Sequence, residues 1–196
     1  MGNGSGLPYH DVADHPFSGR EFRMPLLEVI QTERNCGFVT IDVVPLHNSG
    51  SAIEACNLIV RHAGLTPPTS YWVRLPSAAA NLHLVRCLQR DLAYGAPCMA
   101  KARAEELALQ FFAAVGPGPH QFFTNTVPWV PSVYERAKSA QETGVLVIAE
   151  DEVDELGWGK HAHASVSAAL SESTFDTGIV VIGPDIGGIL WFEDED

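Results

Sequence analysis

The sequence predicts a single layered domain of the α/β class, with α+β as the alternative. We expect a mixed sheet with helices on its faces and a β-hairpin at the carboxyl end. Strand-like and helix-like patterns alternate over most of the chain, which is typical of this class. The 196 residues, 46% of them hydrophobic, suffice to bury about 70% of the unfolded surface in one core. We place the domain at residues 21–196, after an irregular leader at residues 1–20.

The first element, residues 22–33, contains Pro25. It fits either a short helix that begins near the proline or a strand, and we favour the strand. Residues 37–44 are β-branched and aromatic and are followed by Pro45. This composition predicts a strand that ends at the proline.

A helix at residues 52–63 comes next. Ser51 and Glu54 have the spacing of a capping box, and Gly64 supplies the stop. Its apolar residues recur at helical spacing, so we expect one face to pack on the sheet. Residues 69–75 are the next predicted strand.

Two further helices are predicted at residues 78–94 and 97–115. Gly95 ends the first, and Pro97 begins the second. The run Gly-Pro-Gly-Pro at residues 116–119 cannot continue a helix. We take it as the candidate break between two lobes.

The last third is expected to contain a strand at 121–127, a helix at 131–142, a buried strand at 145–149, a short helix at 164–171, and a hairpin of strands 178–182 and 189–192. We expect the hairpin to form an antiparallel edge and the strand at 145–149 to be central. The acidic residues that follow this strand then lie at its carboxyl end, where open α/β sheets bind ligands.

The negative charge is confined to the last third of the chain. Residues 139–196 hold thirteen acidic side chains and one basic one, Lys160, whereas residues 1–138 hold eleven of each, which together give the net charge of −12. Such a field repels nucleic acids and anionic membranes and attracts cations and basic proteins. No apolar run approaches the roughly 20 residues that a membrane span needs.

Two groups of carboxylates lie beside tryptophans, and we predict that they bind a basic partner protein. Trp158 is the expected apolar anchor, because a few aromatic residues carry most of the energy of an interface; Trp191 is expected in the core. The predicted partner-binding residues are Glu150, Asp151, Glu152, Asp154, Glu155, Trp158, Glu193, Asp194, Glu195 and Asp196. The predicted function is thus that of a non-enzymatic, acidic protein-binding module.

The carboxyl end, in which an apolar hairpin leads through Trp191 and Phe192 into four acidic residues, resembles the small acidic immunity proteins that neutralise basic bacterial toxins. This resemblance covers about twenty residues. It implies an inhibitor-like role; an adaptor role is the other form that the predicted binding of a basic partner could take.

The alternative function is a metal-assisted hydrolase or phosphotransferase. Glu150 and Asp151 would bind Mg²⁺ or another divalent metal, and His161 and His163 would add ligands or an acid-base group. The sequence contains no nucleotide-binding glycine motif and no motif of the common hydrolases, zinc proteases or deaminases. For the preferred, non-enzymatic function we expect no cofactor.

The four cysteines, Cys36, Cys56, Cys87 and Cys98, have irregular spacing and form no metal-binding motif. We expect them to be reduced and mostly buried, in a cytoplasmic protein. His83, with Arg86 and Arg90, is expected to form a basic, solvated stripe on its helix.

Overall fold

A computed structural model of the chain describes residues 19–47, 50–128, 131–155, 164–166 and 169–195. The helices are α1 (Gly19–Arg34), α2 (Ala52–His62), α3 (Ser77–Gln89), α4 (Lys101–Ala114), α5 (Pro131–Thr143) and α6 (Glu152–Glu155). The strands are β1 (Phe38–Pro45), β2 (Trp72–Leu75), β3 (Gln121–Thr124), β4 (Thr126–Pro128), β5 (Val145–Val147), β6 (Ala164–Val166), β7 (Phe175–Ile182) and β8 (Ile186–Asp194).

Six of the strands form one mixed sheet in the order β1-β8-β7-β3-β2-β5. The pair β2 and β5 is parallel, and the other neighbours are antiparallel. Strands β4 and β6 form a separate two-stranded sheet. The prediction of a single layered α/β domain with a mixed sheet is confirmed.

Helices cover both faces of the six-stranded sheet. One face packs against α1, α3, α4 and α5 around residues such as Ile30, Leu84 and Phe111. The other face packs against α2, whose Ile59 and Val60 are fully buried. The layered arrangement follows from the amphipathic helices, since each has one apolar face to bury.

Helix α2 begins as the sequence predicts. The Ser51 hydroxyl accepts a hydrogen bond from the Glu54 N–H at 3.2 Å, and the Glu54 carboxylate accepts one from the Ser51 N–H at 2.8 Å. Gly64, with φ of 83°, follows the helix in the left-handed conformation that suits glycine.

The β7–β8 hairpin is confirmed, but it lies inside the sheet, not at its edge. Eight residue pairs join its strands; β1 then pairs with the free side of β8 and β3 with that of β7. The two strands are packed closely: a Cβ on Gly178 would lie 2.2 Å from the Leu190 carbonyl oxygen. Trp191, in β8, is fully buried, as expected.

Several predicted elements are wrong in type or position. Residues 22–33 belong to helix α1, which passes through Pro25 and begins at Gly19. Residues 164–166 form strand β6, where a helix was expected. The strand at 145–147 lies at one edge of the sheet, not in its centre, because β2 is the only described strand that pairs with it. The loop at 116–119 joins α4 to β3 of the same sheet.

Two of the cysteines are oxidised, which corrects the expectation of four reduced thiols. Cys36 and Cys98 form a disulfide across a sequence separation of 62 residues, with their Cα atoms 6.7 Å apart. Cys56 and Cys87 are free and buried. Among the helices described, none has both the length and the apolar character needed to cross a membrane.

Candidate partner-binding site

Strand β5 forms one edge of the sheet, and no described strand pairs with its outer side. Its inner edge bonds to β2, with the Trp72 N–H donating to the Gly144 carbonyl and the Ile148 N–H donating to the Arg74 carbonyl. At the outer edge the carbonyls accept side-chain donors: the Thr143 hydroxyl bonds to Val145 and the Arg136 guanidinium to Val147. The Val147 side chain is 50% exposed.

The acidic segment, which we define as residues 150–155, begins three residues beyond the end of β5 and includes α6. Within it, Glu152 has a structural role. Its carboxylate accepts a hydrogen bond from the Ala149 N–H at 2.8 Å and pairs with Arg136. The Ala149 N–H, and after it the Arg136 guanidinium, lower the pKa of Glu152 below its usual value, because both stabilise the charged form.

Glu150, Asp151 and Asp154 are exposed. Within the described ranges no cation forms an ion pair with any of the three. Their charge therefore acts on the solvent side of the segment. The side chain of Glu155 and the residues Trp158, His161, His163 and Asp196 lie outside what the structure describes.

The second acidic group, at the end of β8, is not a uniform surface. Glu195 is exposed, and partly exposed Glu193 accepts a hydrogen bond from the Thr40 hydroxyl. Asp194, in contrast, is 1% exposed and forms a bidentate pair with Arg34, with N–O distances of 2.9 and 2.8 Å. Asp194 therefore belongs to the interior and does not contribute to an acidic rim.

All five N–H donors of the Arg34 guanidinium form hydrogen bonds, two of them to Asp194 and three to backbone carbonyls. Besides Asp194, it donates to the carbonyls of Cys36, Cys87 and Arg90, and its guanidinium lies 4.9 Å from the centre of the Phe192 ring. The Leu92 N–H donates to the same Asp194 carboxylate. These bonds connect α1, the end of α3 and β8 and compensate for the burial of both charges.

The two acidic groups leave the sheet at opposite ends. Four strand spacings of about 4.8 Å separate β5 from β8. Val147 is level with Ile189 through the pairings Val147–Arg74, Arg74–Phe123, Phe123–Val180 and Val180–Ile189. Asp194 lies five residues, or roughly 17 Å, further along β8 in the direction away from the acidic segment. These spacings place Val147 and Asp194 roughly 25 Å apart, so the expected single rim is two separate surfaces.

The alternative metal site gains no support from the described residues. Only one group of three or more potential ligands is found among them, Cys36, Asp91 and Asp194, and it includes neither Glu150 nor Asp151. The histidines of that hypothesis, His161 and His163, are not described. The hydrolase alternative therefore stays a prediction from sequence.

His83 is buried, which corrects the expectation of a solvated basic stripe. Its Nε2 lies 3.1 Å from the Thr177 hydroxyl, 3.3 Å from the Thr124 hydroxyl and 3.7 Å from the Cys87 sulfur. Burial, and after it the nearby Arg86 charge, lower the pKa of His83 to about 4. The imidazole is thus neutral at pH 7.

Further hydrogen bonds extend this polar network from Thr177 to Thr126, then to Asn125, and then to Asp176. The Asn125 side-chain amide donates to the Asp176 carboxylate at 3.1 Å, as do the N–H groups of Leu170 and Ser171 at 2.5 and 2.7 Å. Its members come from separate strands and loops. No local sequence pattern could have grouped them.

Comparison with family models, with curated proteins and with solved structures gives no match. Function is therefore inferred from the residues of this chain.

Proposed function

We propose that the chain is a non-catalytic module that binds a basic partner protein through the acidic segment at the end of β5. The observation that supports this most directly is the exposure of Glu150, Asp151 and Asp154, which have no cation paired with them in the described part of the chain. Burying them against a neutral surface would cost free energy, whereas a basic surface compensates for their charge.

The edge of β5 supplies the apolar part of the proposed surface. Val147, whose side chain is half exposed, is connected to the acidic segment through Arg136, which donates to the Val147 carbonyl and pairs with Glu152. Trp158, which follows the segment in sequence, is proposed as the aromatic anchor. The carboxyl-terminal group is left out of this surface, because it lies at the other end of the sheet.

A second copy of the chain is a poor occupant of this edge. In an antiparallel pairing of two β5 strands, the acidic segment of each copy would face the exposed Glu142 before β5 of the other. Like charges opposite each other are unfavourable. The surface therefore favours a different, basic chain, whether a toxin-like target that it inhibits or a component that it recruits as an adaptor.

The proposal includes a cytoplasmic location, where the Cys36–Cys98 pair would be kept reduced. Trapping thiols by alkylation in intact cells before lysis tests this. We expect Cys36 and Cys98, which are both partly exposed, to be labelled; a Cys36–Cys98 pair protected from alkylation would instead indicate an oxidising compartment.

Site-specific crosslinking identifies the partner. A photo-reactive residue at position 147 should capture a protein with a basic surface, because Val147 borders the acidic segment. The same residue at position 109 is the control, since Leu109 is 64% exposed on α4, on the opposite face of the sheet. Capture of the same proteins at both positions would contradict the proposal.

Charge reversal then tests the purified partner. Asp151→Lys/Asp154→Lys should weaken its binding by at least about ten-fold, because attraction becomes repulsion. The matched control, Glu172→Lys/Glu195→Lys, changes the net charge equally at exposed positions of the opposite end of the sheet. An equal loss in both variants would mean that only the overall charge matters, and undiminished binding in the first would refute the proposed surface.

A further inference from the structure

The disulfide lies within a cluster of potential metal ligands. The Cys36 sulfur and one carboxylate oxygen each of Asp91 and Asp194 all lie within 4.8 Å of one another. The Cys98 sulfur is not one of these three, but its bond to the Cys36 sulfur places it directly beside them, and we count all four residues as the cluster. The cluster assembles from four parts of the chain: the α1–β1 loop, the segment after α3, the segment before α4, and the end of β8.

The charges of this cluster are unbalanced. Arg34 directs its guanidinium to the Asp194 carboxylate and to backbone carbonyls. The Asp91 carboxylate accepts a hydrogen bond from the Tyr94 N–H at 2.6 Å, and no ion pair of Asp91 occurs among the described residues. The two carboxylates beside the sulfurs carry two negative charges, and the Arg34 guanidinium neutralises one of them. A bound cation could therefore neutralise the other.

We propose that reduction of the disulfide converts this cluster into a binding site for Zn²⁺ or a similar thiolate-binding divalent metal. Cys36, Cys98 and Asp91 are the ligands. Asp194 keeps its pair with Arg34, and water fills the fourth position. Zn²⁺ takes thiolates at about 2.3 Å and carboxylate oxygens at about 2.1 Å, so ligand atoms in a tetrahedral site lie roughly 3.5 Å apart. The Cys36 sulfur and the Asp91 oxygen, now within 4.8 Å of each other, already lie close to that spacing.

The conversion is balanced in atoms and electrons. A dithiol reductant donates two electrons to the S–S bond and becomes a cyclic disulfide, and its two protons complete the thiols of Cys36 and Cys98. Metal binding then displaces one proton from each thiol. A disulfide oxidant reverses the process: it takes two electrons from the two thiolates, is itself cleaved to two thiolates, and the re-formed Cys36–Cys98 bond releases the metal.

Cobalt titration tests the site, because Co²⁺ substitutes for Zn²⁺ and is coloured. The 196-residue chain, reduced without oxygen, should bind one Co²⁺ and show a thiolate-to-cobalt charge-transfer band with the visible bands of tetrahedral cobalt. Added Zn²⁺ should remove them. The oxidised chain should show no charge-transfer band, and only the reduced chain should gain thermal stability from the metal. Absence of the band in the reduced chain would overturn the proposal, whether or not that chain remains folded.

Variants separate this site from other thiols and histidines. Cys98→Ser should abolish the charge-transfer band, and Asp91→Asn should weaken cobalt binding by more than about ten-fold, since even outer-shell changes cost 10–100-fold. Cys56→Ala and His161→Ala/His163→Ala should leave the band unchanged. A band that survives Cys98→Ser, or that disappears in either control, would show that other residues bind the metal and would refute the assignment.

Discussion

Removal of the Cys36–Cys98 disulfide should destabilise the fold by about 4 kcal/mol. In the chain-entropy description, a crosslink stabilises a protein by restricting its unfolded state, and the effect grows with the logarithm of the closed loop. For the sequence separation of 62 residues observed here, that relation gives about 4 kcal/mol at 25 °C. The loop contains β1, α2, β2 and all of α3, so its closure restrains two strands of the sheet and the helices that follow them.

Urea unfolding in the absence of metal, followed by tryptophan fluorescence and far-ultraviolet circular dichroism, measures this free energy. We compare the oxidised protein with Cys36→Ser/Cys98→Ser, in the presence and absence of reductant. The oxidised protein should be more stable by about 4 kcal/mol, and reductant should leave the variant unchanged, because Cys56 and Cys87 form no disulfide. A difference below about 1 kcal/mol between the oxidised protein and the variant would refute the reasoning.

Three further predictions concern other contacts. Arg34→Met should cost about 3–5 kcal/mol in urea unfolding, because the buried Asp194 carboxylate loses its cation; Arg34→Met/Asp194→Leu should recover part of that loss, and a double variant no more stable than the single one would contradict it. His83 stays neutral in the fold down to about pH 4, whereas an unfolded histidine binds a proton below about pH 6.5. Stability should therefore fall between these pH values by roughly 3 kcal/mol more in the wild type than in His83→Gln, and equal pH dependence would exclude the histidine as the cause. Ser51→Ala should cost about 1 kcal/mol through loss of the capping bond to Glu54, and an unchanged unfolding midpoint would show that the cap contributes nothing.

Local patterns predicted the elements whose causes are local. Strand β1 follows from its β-branched residues and Pro45, and α2 from the capping box of Ser51 and Glu54. The β7–β8 hairpin follows from two apolar runs around a Gly-Pro-Asp turn. In each case the decisive residues lie within a few positions of one another.

The errors come from contacts between distant residues. Asp194 looks like part of an acidic tail, but its partner Arg34 is 160 residues away in sequence. Similarly, Cys36 and Cys98 meet only because the fold brings α1 and α4 together. Pairing partners also decide which strand is at the edge: β5 has the apolar composition of a central strand, and the topology places it outermost.

The candidate site was predicted in part. The acidic character of residues 150–155 and its position after a strand are visible in the sequence. The sequence does not show which of these acidic residues has a structural role and which face solvent. That depends on Arg136, which lies 16 residues before Glu152 and pairs with it. The charge that faces water is consequently smaller than the sequence suggests.

The central claim is that the exposed charge of the acidic segment draws a basic protein towards it. The most direct measurement is the association rate constant of the crosslinked partner as a function of ionic strength, by stopped flow. We expect it to fall steeply as salt is added, since screening shortens the reach of exposed charges. An association rate that does not change with ionic strength would contradict the claim.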